Sequence, residues 1–175
     1  MTGLKQTQQD AWILQIHQIG LALFAYSNDN NQNFPDGKSS TEVFQKLLDG
    51  NYITDPGVFF VPLPGKTKAL PGQRLKPENV SFDVTCCVDA DVSDVLPLIF
   101  ITGYKVTYAP GGSAVPRVKP YPSGIVAYYK GTSSKFIIPG SSPDANGSIA
   151  NFVPVDFDPK GKTYHQLTPE GTLPP

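Results

Sequence analysis

Two adjacent cysteines, Cys86 and Cys87, carry the strongest nucleophilic chemistry in this chain. Neighbouring residues on a strand point to opposite faces, so a bond between the two sulfurs would require a distorted backbone. The sequence has no Cys-x-x-Cys pair and no Cys/His cluster, which argues against a metal or redox site. We therefore expect Cys86 and Cys87 to be two small buried side chains.

Acid–base catalysis has little support in the sequence. The only histidines are His17, in a helical pattern, and His165, in a polar segment. No Gly-x-Ser-x-Gly, P-loop or His-Glu-x-x-His motif is present. The sequence therefore predicts that the protein is not an enzyme. A hydrolase that pairs His165 with one of the cysteines is the catalytic alternative, and it requires the two side chains to lie within hydrogen-bond reach.

Composition and charge limit the class of protein further. The 14 Lys and Arg residues against 15 Asp and Glu residues give a net charge of -1, so we expect no nucleic-acid partner. The 18 prolines and 16 glycines exclude many positions from helix interiors and central strands, which predicts a loop-rich domain. The length of 175 residues is typical of one domain, residues 1–175. No apolar run reaches the roughly 18 residues that span a bilayer.

Two helices are predicted before residue 50. Over residues 4–28, Trp12, Ile16, Ile19 and Leu23 form an apolar stripe with helical spacing. Gly20 lies beside this stripe, and we consider two explanations for it: close approach of another backbone, or a large side chain of the chain's own sheet above it. A second helix is predicted over 40–49. Its signals are a capping box of Ser39 and Glu42 and a left-handed stop at Gly50.

The remainder of the chain predicts strands and loops. Short apolar runs across residues 58–138 predict an antiparallel sheet with long loops, including a hairpin over 124–138. Residues 139–175 are expected to be a polar tail with one short strand at 151–157. Helices that precede strands favour an α+β fold, in which a long N-terminal helix packs on a small antiparallel sheet. We expect one face of that sheet to cover the helix and the other to face water.

Residues 18–23, Gln-Ile-Gly-Leu-Ala-Leu, are followed by Tyr26, Asp29 and the pair Phe34-Pro35. This pattern resembles the stretch that closes the N-terminal helix of bacterial pseudopilin-like proteins and leads into their head. The segments 44–52 and 124–138 resemble the family's next helix and its later hairpin. The similarity is good over 15–60 and moderate over 98–138. The family's prepilin cleavage motif and first hydrophobic turns have no counterpart in the sequence.

The resemblance implies a pilin-like fold and a structural role. The protein would be a subunit of a type II secretion pseudopilus or of a type IV pilus-like filament, periplasmic or on the cell surface. Its partners would be other pilin or pseudopilin subunits, and the inner membrane through an N-terminal segment upstream of Leu4. The helix face predicted to pack against other subunits comprises Trp12, Ile16, Ile19, Gly20 and Leu23.

Calcium is the one metal that the resemblance suggests, because type II secretion major pseudopilins have a calcium site in a C-terminal loop. The candidate ligands are Asp89, Asp91 and Asp94, and a second carboxylate pair is Asp156 and Asp158. Calcium takes about six to eight oxygen ligands, and these spacings do not match an EF-hand. Solvated loop carboxylates are therefore the default expectation, with no cofactor required.

A binding module is the alternative to a filament subunit. In that case a secreted or surface protein would use a pilin-like head to bind carbohydrate or protein. The candidate contact residues are aromatic: Tyr104, Tyr108, Tyr121, Tyr128 and Tyr129. A contiguous exposed aromatic patch would favour this alternative, whereas tyrosines that line the sheet would not.

Overall fold

The structure is a computed structural model that describes residues 6–117, 124–137 and 146–174. It confirms the α+β class, with a long N-terminal helix and antiparallel sheets. The helices are α1 (Gln6–Asp29) and α2 (Ser40–Asp49). The strands of the described residues are β1 (Phe82–Thr85), β2 (Pro97–Ile101), β3 (Tyr104–Val106), β4 (Ala114–Pro116), β5 (Ile125–Tyr129), β6 (Ser134–Ile137) and β7 (Gln166–Leu167).

The helix α1 is one continuous element of 24 residues. Its first fully buried side chain is Ile16, and from there it packs mainly on β5 and β6. The helix ends where Asn31 and Gln32 adopt left-handed backbone conformations (φ 57° and 65°). Phe34 then anchors the following loop, with its ring 5.1 Å from that of Phe24. Predicted residues 4 and 5 of this helix lie outside the described residues.

The helix α2 has the predicted bounds and N-cap but a different C-terminal stop. The Ser39 hydroxyl accepts a hydrogen bond from the Glu42 backbone N–H at 3.1 Å, but the Glu42 carboxylate accepts from the Lys38 N–H instead of the Ser39 N–H, so only half of the predicted capping box is formed. Gly50 does not adopt the predicted left-handed conformation, because its φ is -88°. Asn51 adopts it instead (φ 60°). Glycine is favoured at position 50 for a steric reason, since a Cβ there would lie only 2.6 Å from the Tyr52 ring.

The main sheet has five antiparallel strands in the order β6-β5-β2-β1-β7, and β3 and β4 form a separate pair. It begins at Phe82 rather than at residue 58 as predicted. Residues 56–59 form a 3-10 turn, because Asp55 caps the Gly57 N–H and Pro56 takes the first position.

The predicted polar tail, residues 139–175, is corrected by the structure within its described part. Its strand is β7, which pairs with β1, while residues 151–157 contain no strand. Phe152, Phe157 and Tyr164 are buried. Residues 138–145 lie outside the described residues.

Both faces of the sheet are buried, which corrects the prediction that one face would be wet. The front face, which covers α1, includes Tyr128 of β5 and its partner Ile99 of β2. The back face includes Phe100 and Tyr129, and Phe152 covers both of them with ring centroids at 5.5 and 6.1 Å. Every residue of β1, β2 and β5 is buried for this reason. The C-terminal segment thus supplies a second layer of core.

Candidate functional site

The predicted packing residues of α1 lie inside this chain's own core. Ile16 and Ile19 are fully buried, and Leu23 is 1% exposed. Trp12 is partly buried, with its ring 6.3 Å from that of Phe136 on β6. The assignment of these residues to a subunit-packing face is therefore wrong for the buried ones. The strongest apolar stripe of an amphipathic helix is the one that the chain's own sheet covers.

Gly20 belongs to the same buried face. A Cβ at this position would lie 2.7 Å from Cδ1 of Tyr128 and closer still to Cε1 and Cζ. The Tyr128 side chain is itself fully buried. Of the two explanations for Gly20, the structure supports the second: the glycine makes room for a large side chain of its own sheet.

The opposite side of α1 carries a different set of residues. Leu14 and Leu21 are 71% and 52% exposed, although both are large and apolar. They are seven residues apart, so they lie on one side of the helix. We define the outer stripe as the exposed residues at this spacing: Thr7, Ala11, Leu14, Gln18, Leu21, Ala25 and Asn28. None of these seven side chains is charged, but the exposed carboxylate Asp10 lies on the same side of the helix, one turn before Leu14.

The rotation of α1 about its own axis is fixed by contacts in its middle and at its C-terminal end. The Gln15 side-chain amide donates hydrogen bonds to the Val58 carbonyl at 2.5 Å and the Phe60 carbonyl at 2.6 Å. Near the C-terminus, the Tyr52 hydroxyl donates to the Asp29 carboxylate at 2.7 Å. This hydrogen bond raises the pKa of Tyr52, because it favours the protonated phenol. These contacts hold the outer stripe towards solvent.

Two of the three candidate calcium ligands, Asp89 and Asp94, are paired with lysines. The Lys162 ammonium lies 2.7 Å from both carboxylate oxygens of Asp89 and lowers the pKa of that carboxyl. Lys130 forms an ion pair with Asp94 at 3.3 Å. The backbone N–H of Asp91 donates to Asp89. Within the described ranges, no group of three or more His, Cys, Asp or Glu side chains is arranged to hold a metal ion.

The tyrosines considered for a binding module mostly line the sheet. Tyr104 and Tyr128 are fully buried and Tyr129 is 3% exposed. Tyr108 is partly buried, with its hydroxyl 2.7 Å from that of Thr85. Tyr121 lies outside the described residues. The exposed patch that would favour carbohydrate or protein binding is therefore not formed by the described members of this set.

A buried polar network on the back face was not anticipated from the sequence. The Gln166 amide on β7 donates to the Asp83 carboxylate at 2.6 Å and to the Tyr104 carbonyl at 2.5 Å, and its oxygen accepts from the Val106 N–H. Burial raises the pKa of Asp83 to about 7, although Gln166 and the Arg117 guanidinium favour the ionised form.

The two cysteines differ in environment, which corrects the expectation that both are buried. Cys86 is buried and Cys87 is exposed. The backbone N–H of Cys86 donates to the His165 carbonyl at 2.9 Å. Among the hydrogen bonds of the described residues, none joins the His165 ring to either thiol. The structure therefore does not assemble the Cys–His pair that a cysteine hydrolase requires.

Comparison with known proteins adds no further assignment: no protein family model, no curated protein and no solved structure matches the chain. Within residues 6–117, 124–137 and 146–174, no helix combines the length and the apolar character that a bilayer crossing needs.

Proposed function

We propose that this protein is a structural subunit of a type II secretion pseudopilus or a type IV pilus-like filament, and that it acts by subunit packing. The observation that carries the proposal is the outer stripe of α1, on which Leu14 and Leu21 remain exposed after the strongest apolar stripe has been buried. The sequence resemblance over residues 15–60 provides the class of assembly.

The outer stripe is suited to contact with another helix. From Thr7 to Asn28 it spans about 32 Å at a rise of 1.5 Å per residue. Leu14 and Leu21 supply apolar area one heptad apart, and Ala11 and Ala25 on either side allow close approach. Packed helices need axes about 8–10 Å apart, which small side chains permit. A neighbouring subunit would thereby cover the two leucines.

The proposal also gives α1 a mechanical role. Because Gln15 and the apolar face fix the helix to the head, a force applied along the helix is transmitted directly to the sheet. In the full-length protein an apolar continuation upstream of Leu4 would anchor the subunit in the inner membrane, with the head on the periplasmic side or at the cell surface. The gene should then encode that apolar run and a prepilin peptidase site. A gene that encodes neither would remove the proposal.

The packing role can be tested with charge substitutions in the full-length protein. Leu14→Arg and Leu21→Arg place a charge on the outer stripe, and arginine is a good helix former, so the fold should persist. Leu70→Arg is the matched control, because Leu70 is 62% exposed but lies outside α1. The measurement is filament assembly in the native cell, with circular dichroism of the purified head to verify folding.

The expected result is loss of assembly for both helix variants and normal assembly for Leu70→Arg. If Leu14→Arg and Leu21→Arg assemble as well as the unmodified protein, the outer stripe is not the packing surface and the filament proposal fails. Equal loss in all three folded variants would also count against it, because the effect would then not depend on the helix.

A further inference from the structure

The two adjacent cysteines have a geometry that neighbouring residues in a regular strand do not have. Their Sγ atoms are 2.7 Å apart. This distance exceeds the disulfide bond length of about 2.05 Å by only a fraction of an ångström. In an extended strand the two side chains would point to opposite faces, so their sulfurs would diverge.

The cause of this proximity is the backbone of Cys87. Its φ of 65° lies in the left-handed region, which non-glycine residues seldom occupy and which carries a strain of about 1–3 kcal/mol. The left-handed conformation turns the Cys87 side chain back towards that of Cys86. The backbone distortion that a bond between adjacent cysteines requires is therefore already present in the folded chain.

Hydrogen bonds on both sides hold this conformation in place. The N–H of Cys86 donates to the His165 carbonyl at 2.9 Å, which continues the pairing of β1 with β7. On the other side, the carbonyl of Val88 accepts from the Phe34 N–H at 3.1 Å. The short segment between these bonds has little freedom to relax into an extended strand, so the two sulfurs stay together.

Access and proton placement differ between the two sulfurs. Cys87 is exposed and can be reached by another molecule, whereas Cys86 is 6% exposed. Burial and the hydrogen bond to Cys87 raise the pKa of the Cys86 thiol to about 12. The Cys86 thiol therefore retains its proton. This arrangement makes Cys87 the attacking group and Cys86 the group that completes the bond.

We propose that Cys86 and Cys87 are a redox-active pair that closes to a vicinal disulfide by thiol–disulfide exchange. The oxidant is a small-molecule or protein disulfide, such as an extracytoplasmic thiol oxidase would supply. The proposal does not depend on the filament role. It does fit an oxidising compartment, in which disulfides form and persist.

The exchange proceeds in two balanced steps. The Cys87 sulfur attacks one sulfur of the oxidant, which breaks the oxidant's S–S bond, forms a mixed disulfide and releases one thiol. The Cys86 sulfur then attacks Cys87, displaces the second half of the oxidant and transfers its proton to it. Overall, two protein S–H bonds are lost, one S–S bond forms, and the oxidant becomes two thiols.

The test exposes the reduced, folded protein to oxidised glutathione and follows it by intact mass spectrometry with iodoacetamide trapping. The expected product is a monomer about 2 Da lighter that resists alkylation, because two hydrogens have been removed. Reduction should restore two alkylatable thiols. Two thiols that remain free, a lasting glutathione adduct, or a disulfide-linked dimer would each overturn the proposal.

Single-cysteine variants provide the matched controls. Cys86→Ser leaves the exposed thiol without its partner and should accumulate the glutathione adduct. Cys87→Ser leaves the buried thiol and should react at least tenfold more slowly. The same oxidation in urea tests whether the fold holds the two thiols ready to react, because the disulfide should form more favourably in the folded protein than in the unfolded chain. If closure is no more favourable in the folded protein than in urea, the structural basis of the proposal is wrong.

Discussion

Substitution of Gly20 by alanine sets two effects of opposite sign against each other. Alanine is favoured over glycine in a helix interior by about 1 kcal/mol, so propensity alone predicts stabilisation. The new Cβ would, however, lie 2.7 Å from Cδ1 of Tyr128 and nearer to two other ring carbons. Because that ring is fully buried, it cannot swing into solvent. Overpacking of this kind costs about 1–3 kcal/mol.

The packing effect should therefore win, with a net loss of up to about 2 kcal/mol in the free energy of unfolding. For a chain of this size each 1 kcal/mol corresponds to a Tm decrease of about 2–4 °C. The measurement is urea unfolding followed by circular dichroism. Ala25→Gly is the matched control for propensity, because Ala25 is on the exposed side of the same helix. It should lose up to about 1 kcal/mol.

A double substitution separates the two effects. In a Tyr128→Leu background the ring is gone, so Gly20→Ala should become neutral or stabilising, and the two changes should be strongly coupled. A Gly20→Ala protein that is more stable than the unmodified protein would refute the reasoning, since propensity would then outweigh the contact with the ring.

Three further predictions concern buried polar groups and a helix cap. The pKa of Asp83 is raised from its ordinary value of 3.8 to about 7, so between these pH values the folded state binds more protons than the unfolded state. The free energy of unfolding should therefore fall as pH rises from about 4 to about 7. Urea titrations at several pH values measure this slope, and Asp83→Asn should remove it. Tyr128→Phe should unfold at the same or a higher urea concentration, because the Tyr128 hydroxyl is buried and has no hydrogen-bond partner within the described structure. Ser39→Ala should lower the free energy of unfolding by about 1 kcal/mol through loss of the α2 cap. Ser40→Ala should not, because the buried Ser40 hydroxyl has no hydrogen-bond partner among the described groups. Equal losses for the two variants in thermal unfolding would contradict this assignment.

The parts of the fold that could be predicted from the sequence are those with local signals. The helices α1 and α2 follow from apolar periodicity and from the Ser39 cap, and the β5–β6 hairpin follows from two short apolar runs around a turn. The strand β7 has only two residues and exists because β1 lies beside it. No local pattern marks such a strand, so the C-terminal segment was predicted to be polar.

The candidate site likewise combines features that have a local sequence signal with features that depend on long-range contacts. Leu14 and Leu21 could have been read as a second stripe, since their spacing is visible in the sequence, but their exposure depends on which side of α1 the sheet covers. Asp83 has no local sequence signal of burial, because aspartate is usually exposed. It is buried because the C-terminal segment covers the back face, and this cover is a long-range contact.

The pairing of β7 with β1 has a consequence for biosynthesis. Val84 pairs with Leu167, so the sheet cannot be completed until Leu167 has left the ribosome, more than 80 residues after β1. Until then β1 presents a free strand edge, and Asp83 lacks its Gln166 partner. This edge of the sheet therefore closes late in synthesis, after every other strand of the sheet has been made.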